Sequence, residues 1–451
     1  MSFHRPSIKK YLNTSSESIR TGFEQKMLSL PAHVYTLFYI MGAYLVLPII
    51  DIPLLGLSIS APLFFLITIP CVLKPPEPWF RTYQWWIFLA VAIWLGIFLS
   101  TMLNGALSYG VEVDSQSYTG LVQYLYWILV FVITAYVATQ DLVVKKISNI
   151  FAWGIFILSV ARLMEAVFFG KVGAYSFPYL LTQNAYGFQF STFTPFILIK
   201  IIQKGGQKKA FWVLALLTVF AAAAINGSRG SWVAIAIGLA VSLLMLFFSR
   251  PRKFFGAFLV IILVAVIGIL SWKYIPTAAS AIQNRFSTLQ SLEEDKTYLI
   301  RQVLTQKGLT MFKQSPIIGV GANRFTKTFV ELKIPGLISY VPLSNFETRN
   351  SHNSYIQFLA EFGLIGSIPF GLLLITLVLK GYGTTRRSII RNDLIPLGIY
   401  LSFVQMSIHM WVMTALTGTQ SWFVYGLLAA VIMLKAVDLG SSSNSATPTS
   451  N

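Results

Sequence analysis

Long apolar runs separated by short polar breaks form the dominant pattern of this chain. An apolar run of about 17–25 residues is long enough to cross the hydrocarbon core of a bilayer as a helix. Twelve such runs predict transmembrane helices, at residues 33–50, 54–73, 82–102, 118–138, 148–169, 184–203, 210–226, 231–248, 254–272, 353–379, 393–412 and 418–437. The predicted fold class is therefore all-α, a polytopic membrane protein, and the even number of spans returns the C-terminus to the side of the N-terminus.

The runs divide the chain into five predicted parts. They are a basic cytoplasmic tail (1–32), nine transmembrane helices (33–272), a periplasmic loop with active-site elements (273–352), three further transmembrane helices (353–438) and a disordered cytoplasmic tail (439–451). The first thirty residues are too long and too polar to be the start of a cleaved signal peptide, so we expect this tail to stay on the protein.

The polar loop between the ninth and tenth runs contains a further predicted helix. From Tyr298 to Gln314, apolar residues recur with helical spacing, which predicts an amphipathic helix lying on the outer leaflet. Its apolar side holds Ile300, Val303, Leu304 and Met311, and the residues around that side include Arg301, Gln302, Lys307 and Lys313. Gly319-Val320-Gly321 follows as a turn whose backbone N–H groups either face an anion or simply form a tight turn.

Composition and charge agree with a membrane protein. Of 451 residues, 55% are hydrophobic and 11% are charged, whereas a soluble domain carries about 25% charge. The one cysteine, Cys71, lies inside an apolar run, so neither a disulfide framework nor a zinc cluster is expected.

The formal net charge of +18 is distributed as an orientation signal. Of the 34 basic residues, 21 fall in the tails or connections on the side of the N-terminus, which the positive-inside rule identifies as cytoplasmic. The opposite, periplasmic side holds Lys171, Arg229 and the ten basic residues of the long loop. Because orientation accounts for most of the charge, nucleic acid is not an expected partner.

The short outer connection Asn226-Gly227-Ser228-Arg229-Gly230-Ser231 is a candidate anion site. Glycines on both sides of the arginine let backbone and ligand approach closely, and a helix is predicted to begin at Ser231. A guanidinium binds phosphate through two parallel hydrogen bonds, so phosphate binding by Arg229 is predicted. A snorkelling membrane anchor is the alternative.

His352-Asn353, followed after nine residues by Gly363-Leu364-Ile365-Gly366, is the most distinctive motif. On a regular helix, both glycines would return to within about 40° of the azimuth of His352. The motif thus predicts one stripe with a titratable ring at the water boundary and two small residues below it. At a helix start the dipole disfavours the imidazolium, which leaves a neutral His352 available as a base; a structural cap histidine is the alternative.

The other ionisable residues give weaker indications of function. Arg301 and Arg324 are predicted to face the compartment of Arg229 and His352, either as ligands or on a solvated loop face. The remaining histidines, His4, His33 and His409, have no metal-ligand spacing with His352, and HExxH is absent, so a site without metal or cofactor is predicted.

Two intramembrane carboxylates are expected to be structural. Arg162 and Glu165 are spaced i,i+3 and can pair within the fifth predicted span. Glu361 lies nominally on the far side of the helix from His352, so helix packing is its expected role.

Taken together, these motifs resemble the bacterial O-antigen ligase and O-antigen polymerase superfamily. The stretch from His352 to Gly366 is similar to the histidine motif of O-antigen ligases, and the wider superfamily shares a looser form of it. Ser228-Arg229-Gly230 at a short outer connection and Gly319-Val320-Gly321 after an arginine-bearing helix are also similar. The resemblance covers about the sixth to the tenth predicted span.

The resemblance implies a GT-C-type glycosyltransferase of the bacterial inner membrane that needs neither metal nor cofactor. The donor would be a glycan linked to undecaprenyl diphosphate, and the acceptor the lipid A–core or another lipid-linked glycan. Arg229 and Arg301 would hold diphosphate oxygens, His352 would deprotonate the acceptor hydroxyl, and direct displacement would invert the anomeric carbon. The candidate substrate-binding residues are Ser228, Asn353, Gly319, Gly321 and Arg324, the last without a firm counterpart in the superfamily.

Several functions stay open at this point. A ligase and a polymerase share the donor chemistry and differ in the acceptor; the histidine motif favours the ligase. A protein-glycosylating member would need an acceptor-docking module, and none is visible in the sequence. A secondary transporter or flippase would show broken helices paired between its halves and more midplane ionisable groups.

Overall fold

The structure is a computed structural model, and it describes residues 30–47, 60–73, 80–107, 114–139, 141–169, 182–272, 296–331 and 350–443. None of these residues lies in a β-strand. Most of the predicted basic tail, two parts of the long loop (273–295 and 332–349) and the last part of the C-terminal tail (444–451) lie outside the described residues.

The described residues form fourteen α-helices. They are α1 (Ala32–Val46), α2 (Ser60–Leu73), α3 (Phe80–Leu107), α4 (Ser115–Val137), α5 (Asp141–Phe169), α6 (Gln183–Gln203), α7 (Gly206–Asn226), α8 (Arg229–Ser249), α9 (Pro251–Trp272), α10 (Lys296–Gln314), α11 (Phe325–Glu331), α12 (Ser354–Ile390), α13 (Ile395–His409) and α14 (Thr419–Ser443). A helix lies at each of the twelve apolar runs, whereas α10 and α11 come from the long polar loop.

Eight helices in the described part of the chain are long and apolar enough to cross a membrane, namely α3 to α8, α12 and α14. Three more, α1, α2 and α13, are shorter apolar helices. The all-helical fold of a multi-pass membrane protein is therefore confirmed, whereas the number of twelve spans stays a prediction.

The centre of the bundle is formed by α6 and α14. Of their most apolar windows, 83% and 78% are buried, against 33% for α12. The most extensive helix pairs are α3 with α12, α4 with α14 and α6 with α13. The exposed apolar side chains of the outer helices fit a lipid solvent, because lipid tails are as apolar as these side chains.

The predicted intramembrane ion pair is confirmed. Arg162 Nη1 lies 3.3 Å from Glu165 Oε2, and both side chains are buried. The Tyr186 hydroxyl of α6 donates to Glu165 Oε1 at 3.1 Å, and the Arg162 guanidinium lies over the Tyr186 ring. The pair therefore joins α5 to α6, which is a structural role.

Many helix ends differ from the predicted bounds. α8 begins at Arg229 rather than 231, α13 ends at His409 rather than 412, and α12 continues to Ile390 rather than 379. α14 continues to Ser443, so the tail predicted as disordered from 439 begins as helix. Apolarity marks where a helix can be buried, but backbone hydrogen bonding decides where it ends, and the two need not coincide.

α12 is interrupted at Gly363, whose backbone has φ 52° and ψ −154°. A regular helix would pair the amides of residues 364 and 365 with the carbonyls of residues 360 and 361. The turn after α10 takes over all four groups. Val320 N donates to Ala360 O at 3.0 Å, Gly321 N to Glu361 O at 2.7 Å, Leu364 N to Pro316 O at 2.8 Å and Ile365 N to Ile317 O at 3.0 Å.

Small and polar residues of α3 complete this contact between the turn and α12. A Cβ at Gly96 would lie 2.5 Å from the Ile365 carbonyl oxygen and 2.8 Å from Gly366 Cα. One turn later, the Ser100 hydroxyl donates to the Glu361 carbonyl at 3.0 Å, and a further turn on, Asn104 Nδ2 donates to the Gly319 carbonyl at 2.7 Å. Small residues at every fourth position thus let α3 approach the broken helix closely.

The end of the bundle opposite Arg229 holds basic residues. Arg250 Nε donates to the Ile389 carbonyl at 3.3 Å, and Lys435 Nζ lies 3.3 Å from Asp393 Oδ2. α8 separates this end from Arg229 by 21 residues, or about 30 Å at 1.5 Å per residue. The basic connections and the candidate site therefore lie at opposite ends of α8, as the predicted orientation requires.

Candidate active site

The corner between α7 and α8 places Arg229 in the first turn of a helix. Gln183 of α6 fixes the corner, because its Nε2 donates to the Asn226 carbonyl at 2.7 Å and its carbonyl accepts from Asn226 Nδ2 at 2.9 Å. Arg229 is half-buried and is the first residue of α8. Its backbone therefore lies at the positive end of the helix dipole.

Ser228 precedes α8 but does not cap its first turn through the side chain. It is the N-cap residue, but its side chain makes no capping hydrogen bond. Its carbonyl accepts from the Ser231 and Trp232 amides, and its hydroxyl faces the space left by Gly187 of α6. The positive end of α8 is thus not neutralised by its own cap, an arrangement found where helices bind anions.

The predicted helix carrying Arg301 is present as α10, but its position on the outer leaflet is wrong. Its apolar residues Leu304 and Met311 are buried with Phe325 of α11 and Ala360 of α12. A Cβ at Gly308 would lie 2.5 Å from Ile356 Cγ2. The protein itself covers the apolar stripe that the spacing assigned to lipid.

Lys307 departs from the predicted face of α10 as well. The spacing placed it around the polar side, but it is 2% exposed. Burial lowers the pKa of its ammonium group, because the charged form is poorly solvated there.

His352 lies outside α12, with φ 52°. The helix begins at Ser354, and Asn353 is its N-cap, with Oδ1 accepting from the Tyr355 and Ile356 amides at 3.1 Å each. The predicted stripe is therefore wrong: His352 is not helical, and the break at Gly363 separates the two glycines from it. The side-chain oxygen of Asn353 is occupied by the cap, which gives this residue a structural role, and its expected substrate contact stays a prediction.

The segment around His352 is held against the loop that follows α13. The Ser354 amide donates to the Met410 carbonyl at 2.9 Å. The Ser354 hydroxyl donates to the Met413 carbonyl at 2.7 Å and accepts from the Ala415 amide at 2.8 Å. This loop thus determines where His352 lies.

His409 ends α13 and is buried at the junction of α6, α8 and α13. Its Nδ1 lies 2.8 Å from Ser191 Oγ. A Cβ at Gly230 would lie 3.1 Å from Nε2, so the ring rests against the first turn of α8. The charge of Arg301 also acts on this ring.

The segments that carry the three predicted catalytic residues approach one element, the segment 409–415. Arg229 precedes the glycine that contacts His409. Arg301 acts electrostatically on the same ring. His352 lies two residues before the serine that is bonded to this segment. Two cations and a histidine thus reach one end of the bundle from three distant parts of the sequence.

The turn at Gly319 and Gly321 does not present its amides to an anion. The Gly319 amide donates to the Ser315 carbonyl, and those of Val320 and Gly321 donate to the broken α12. Gly319 has φ 66°, and a Cβ there would collide with the Glu361 backbone. Of the two interpretations of this motif, the hydrogen bonds favour the tight turn, because the amides of Gly319 and Gly321 both donate within the protein.

Arg324 is engaged within the protein. Its Nε donates to Ser117 Oγ at 2.9 Å, and its Nη2 lies 3.5 Å from Asp114 Oδ2. Burial alone raises the pKa of the Asp114 carboxyl, but hydrogen bonds from Ser117 and Lys327 and the charge of Arg324 outweigh it and bring the pKa to about 2. These contacts tie the turn to the start of α4, so they favour a structural role for Arg324 over substrate binding.

Glu361 serves packing, as expected. It is fully buried, and its Oε1 accepts from the Phe325 amide and from Gln357 Nε2, both at 3.3 Å. The Tyr124 hydroxyl also faces this carboxyl. Glu361 therefore links α12 to the start of α11.

Sequence reasoning missed His409 and the loop after it. The histidine was considered only as a metal ligand, and the apolar residues 410–412 were included in a transmembrane run. A histidine at the end of an apolar helix was the available signal, because ionisable residues inside membrane proteins mark functional or structural polar contacts. In the described ranges, no three His, Cys, Asp or Glu side chains form a cluster suited to a metal.

Comparison with known proteins relates part of the chain to a known family. Residues 214–371 match the family model Wzy_C, described as O-Antigen ligase. The match contains Arg229, Arg301 and His352, and it confirms the resemblance to the O-antigen ligase-like superfamily. A protein of Haemophilus influenzae described as uncharacterized is 24% identical over 183 residues, which are 39% of this chain and 44% of that protein. The chain thus spans less than half the length of this relative.

Proposed function

We propose, from the match of residues 214–371 to the O-antigen ligase family, that this protein is a membrane glycosyltransferase of the O-antigen ligase type. It moves a glycan from undecaprenyl diphosphate to an acceptor hydroxyl of the lipid A–core at the periplasmic face of the bacterial inner membrane. The observation that supports this proposal is that the start of α8, the charge of Arg301 and the chain beside His352 all act on the segment 409–415.

The donor requires positive charge more than it requires activation. A glycan diphosphate already has a good leaving group, and its departure develops negative charge on the diphosphate oxygens. Arg229 and Arg301 supply guanidinium groups for those oxygens, and the uncapped positive end of α8 adds a further attraction. Such preorganised groups lower the barrier because they are aimed at charge that develops in the transition state.

The acceptor hydroxyl requires a base. His352 takes its proton while the oxygen attacks the anomeric carbon and the bond to the diphosphate breaks. A single displacement inverts that carbon. Asn353 and the hydrogen bonds of Ser354 fix the backbone beside His352, and none of these hydrogen bonds involves the imidazole. Neither a metal nor a cofactor has a step in this scheme.

An O-antigen or exopolysaccharide polymerase is the alternative, because the family relation does not fix the acceptor. Deleting the gene in its host and separating the surface lipopolysaccharide on a gel distinguishes the two. Polymer that stays on the lipid carrier identifies a ligase, whereas core carrying a single repeat identifies a polymerase. Unchanged lipopolysaccharide and exopolysaccharide would contradict both.

The break in α12 is a feature that transporters also have, but its hydrogen bonds do not support a transporter. Transporters use breaks to expose backbone groups to a substrate or ion. At Gly363 the carbonyls of residues 360 and 361 and the amides of residues 364 and 365 are bonded to the turn after α10. This break therefore joins two parts of the protein instead of lining a transport site.

Purified protein in detergent or nanodiscs tests the chemistry directly. Wild-type protein, lipid-linked glycan from the deletion strain and rough lipopolysaccharide are the components. We expect transfer that continues in EDTA. Transfer that stops in EDTA and returns with magnesium would contradict the metal-free mechanism, and no transfer to either class of acceptor would contradict the glycosyltransferase.

A further inference from the structure

His409 is a buried histidine that the proposed chemistry leaves without a role. The Ser191 hydroxyl donates to the Phe188 carbonyl at 3.0 Å, and a hydroxyl has a single proton to donate. Ser191 Oγ also lies 2.8 Å from His409 Nδ1. With the Ser191 proton on the Phe188 carbonyl, the neutral ring carries its proton on Nδ1, and Nε2 is then an acceptor.

The side of the ring that carries Nε2 faces the helix of Arg229. A Cβ at Gly230 would lie 3.1 Å from Nε2 and 3.2 Å from Cδ2 of the ring, and one at Gly187 would lie 3.4 Å from Cε1. Gly230 of α8 thus leaves room for the ring and for Val412, whereas Gly187 of α6 is an ordinary van der Waals neighbour of the ring. Phe188 packs edge-on against it, with the ring centroids 5.7 Å apart.

The surroundings favour a neutral ring. The first turn of α8 is the positive end of a helix dipole, and its cap side chain does not neutralise it. Arg301 adds a further positive charge. A neutral acceptor nitrogen is attracted to these groups, whereas an imidazolium would be repelled by them.

We propose that His409 is a positioning residue: held by Ser191, its neutral imidazole supports the first turn of α8 and thereby sets the orientation of Arg229 toward the donor diphosphate. The proposal rests on the proposed function, since it assigns Arg229 to the donor. It differs from that function in making the effect of His409 pass through Arg229.

One turn earlier on α13, Gln405 makes a similar contact with α8, and this contact serves as a control for helix packing alone. Gln405 of α13 meets Gly238 of α8 side chain against backbone, just as His409 meets Gly230. Gln405 is as buried as His409, but the residue it contacts on α8, Gly238, lies about two and a half helical turns after Arg229. Replacing it disturbs the same pair of helices without touching the turn that carries the arginine.

The test is a double-mutant cycle in the purified transfer assay, with kcat and the donor KM measured for each variant. His409→Phe keeps a planar aromatic ring, somewhat larger than imidazole, and removes both nitrogens. We expect about a tenfold loss of kcat/KM for the donor, with acceptor KM unchanged. Combined with Arg229→Lys, it should add little to the loss caused by Arg229→Lys alone, because residues that act as a unit are not additive. Gln405→Met should instead combine additively with Arg229→Lys.

Three results would overturn the proposal while leaving the proposed function intact: full activity of His409→Phe, an additive cycle with Arg229→Lys, or the same non-additivity for Gln405→Met. If His409→Phe does not yield folded protein, Ser191→Ala replaces it in the cycle, since it removes the Nδ1 partner and keeps the ring. We expect the same non-additivity with a smaller loss. Absence of transfer by the wild-type protein would overturn both proposals together.

Discussion

Two helices begin at the candidate site, and their first turns are capped differently. α12 is closed by Asn353, whose side chain accepts from two amides. α8 follows Ser228, whose side chain makes no capping hydrogen bond. An open, positive helix end is a binding site for an anion, whereas a capped end is a fixed point of the structure.

The difference separates the two halves of the proposed reaction. At the closed end, the chain around His352 is fixed by its own hydrogen bonds, as a base that must meet a hydroxyl in one geometry requires. At the open end, the proposed function assigns the missing partner to the donor diphosphate, and Arg229 is the first residue of this helix. The comparison predicts that changes at the closed end affect the rate or the fold, and changes at the open end affect donor binding.

The largest effect is expected at the histidine of the closed end. His352→Ala removes the base, so we expect kcat to fall about 10²–10⁴-fold with normal expression and an unchanged melting temperature. Transfer by purified protein at saturating donor and acceptor measures it. Retained activity would remove His352 from the mechanism and leave α12 with a structural start only.

Arg229→Lys tests the open end. Lysine keeps the charge but loses the planar pair of donors, so we expect a loss on the order of 10²-fold in kcat/KM for the donor. Binding of undecaprenyl diphosphate without a glycan should weaken in parallel. Wild-type kinetics with lysine would reduce Arg229 to a membrane anchor.

The break in α12 gives a third prediction, on stability. Gly363 has φ 52°, and a Cβ there would lie 2.5 Å from the Ile317 carbonyl oxygen. Gly363→Ala should therefore destabilise the fold by about 1–3 kcal/mol or more, seen as a lower melting temperature. Gly371→Ala is the matched control in the same helix, where a Cβ would meet nothing within 4 Å. Equal melting temperatures of the two variants would contradict the interlock.

The helices and their order could be predicted from the sequence, because lipid selects long apolar runs. The buried pair of Arg162 and Glu165 was predictable for a related reason: helical spacing brings the two side chains together, and a lone charge in lipid is costly. The placement of α10 was not predictable, because an amphipathic stripe does not reveal whether lipid or protein covers it.

The geometry of the candidate site was hidden for a different reason. The helical stripe predicted from His352 to Gly366 assumed an uninterrupted helix. A glycine in an apolar run does not by itself indicate a positive φ. The four hydrogen bonds that fill the break come from a turn about 45 residues earlier in the chain. Pairings across such distances depend on tertiary packing, as does the contact of His409 with Gly230.

A smaller effect is expected at the cap of α12. Asn353→Ala leaves the amides of Tyr355 and Ile356 without the Asn353 oxygen, which should cost about 1 kcal/mol of stability. Because the cap fixes the chain next to His352, kcat should fall with it while the donor KM stays unchanged. Asn353→Asp, which keeps a capping oxygen, should restore the melting temperature. Loss of stability in the aspartate variant too would show that the amide group has another role.

The smallest change in stability is expected at Ser228, and it makes the comparison sharpest. Its hydroxyl makes no cap, so Ser228→Ala should alter the melting temperature far less than Asn353→Ala. Any effect should appear in donor binding, because the hydroxyl stands beside the open end of α8. We expect the donor KM to rise by a few-fold, or about 1 kcal/mol or less, with kcat nearly unchanged. A drop in stability equal to that of Asn353→Ala would show that both helix starts are capped, and the open end would no longer distinguish the donor site.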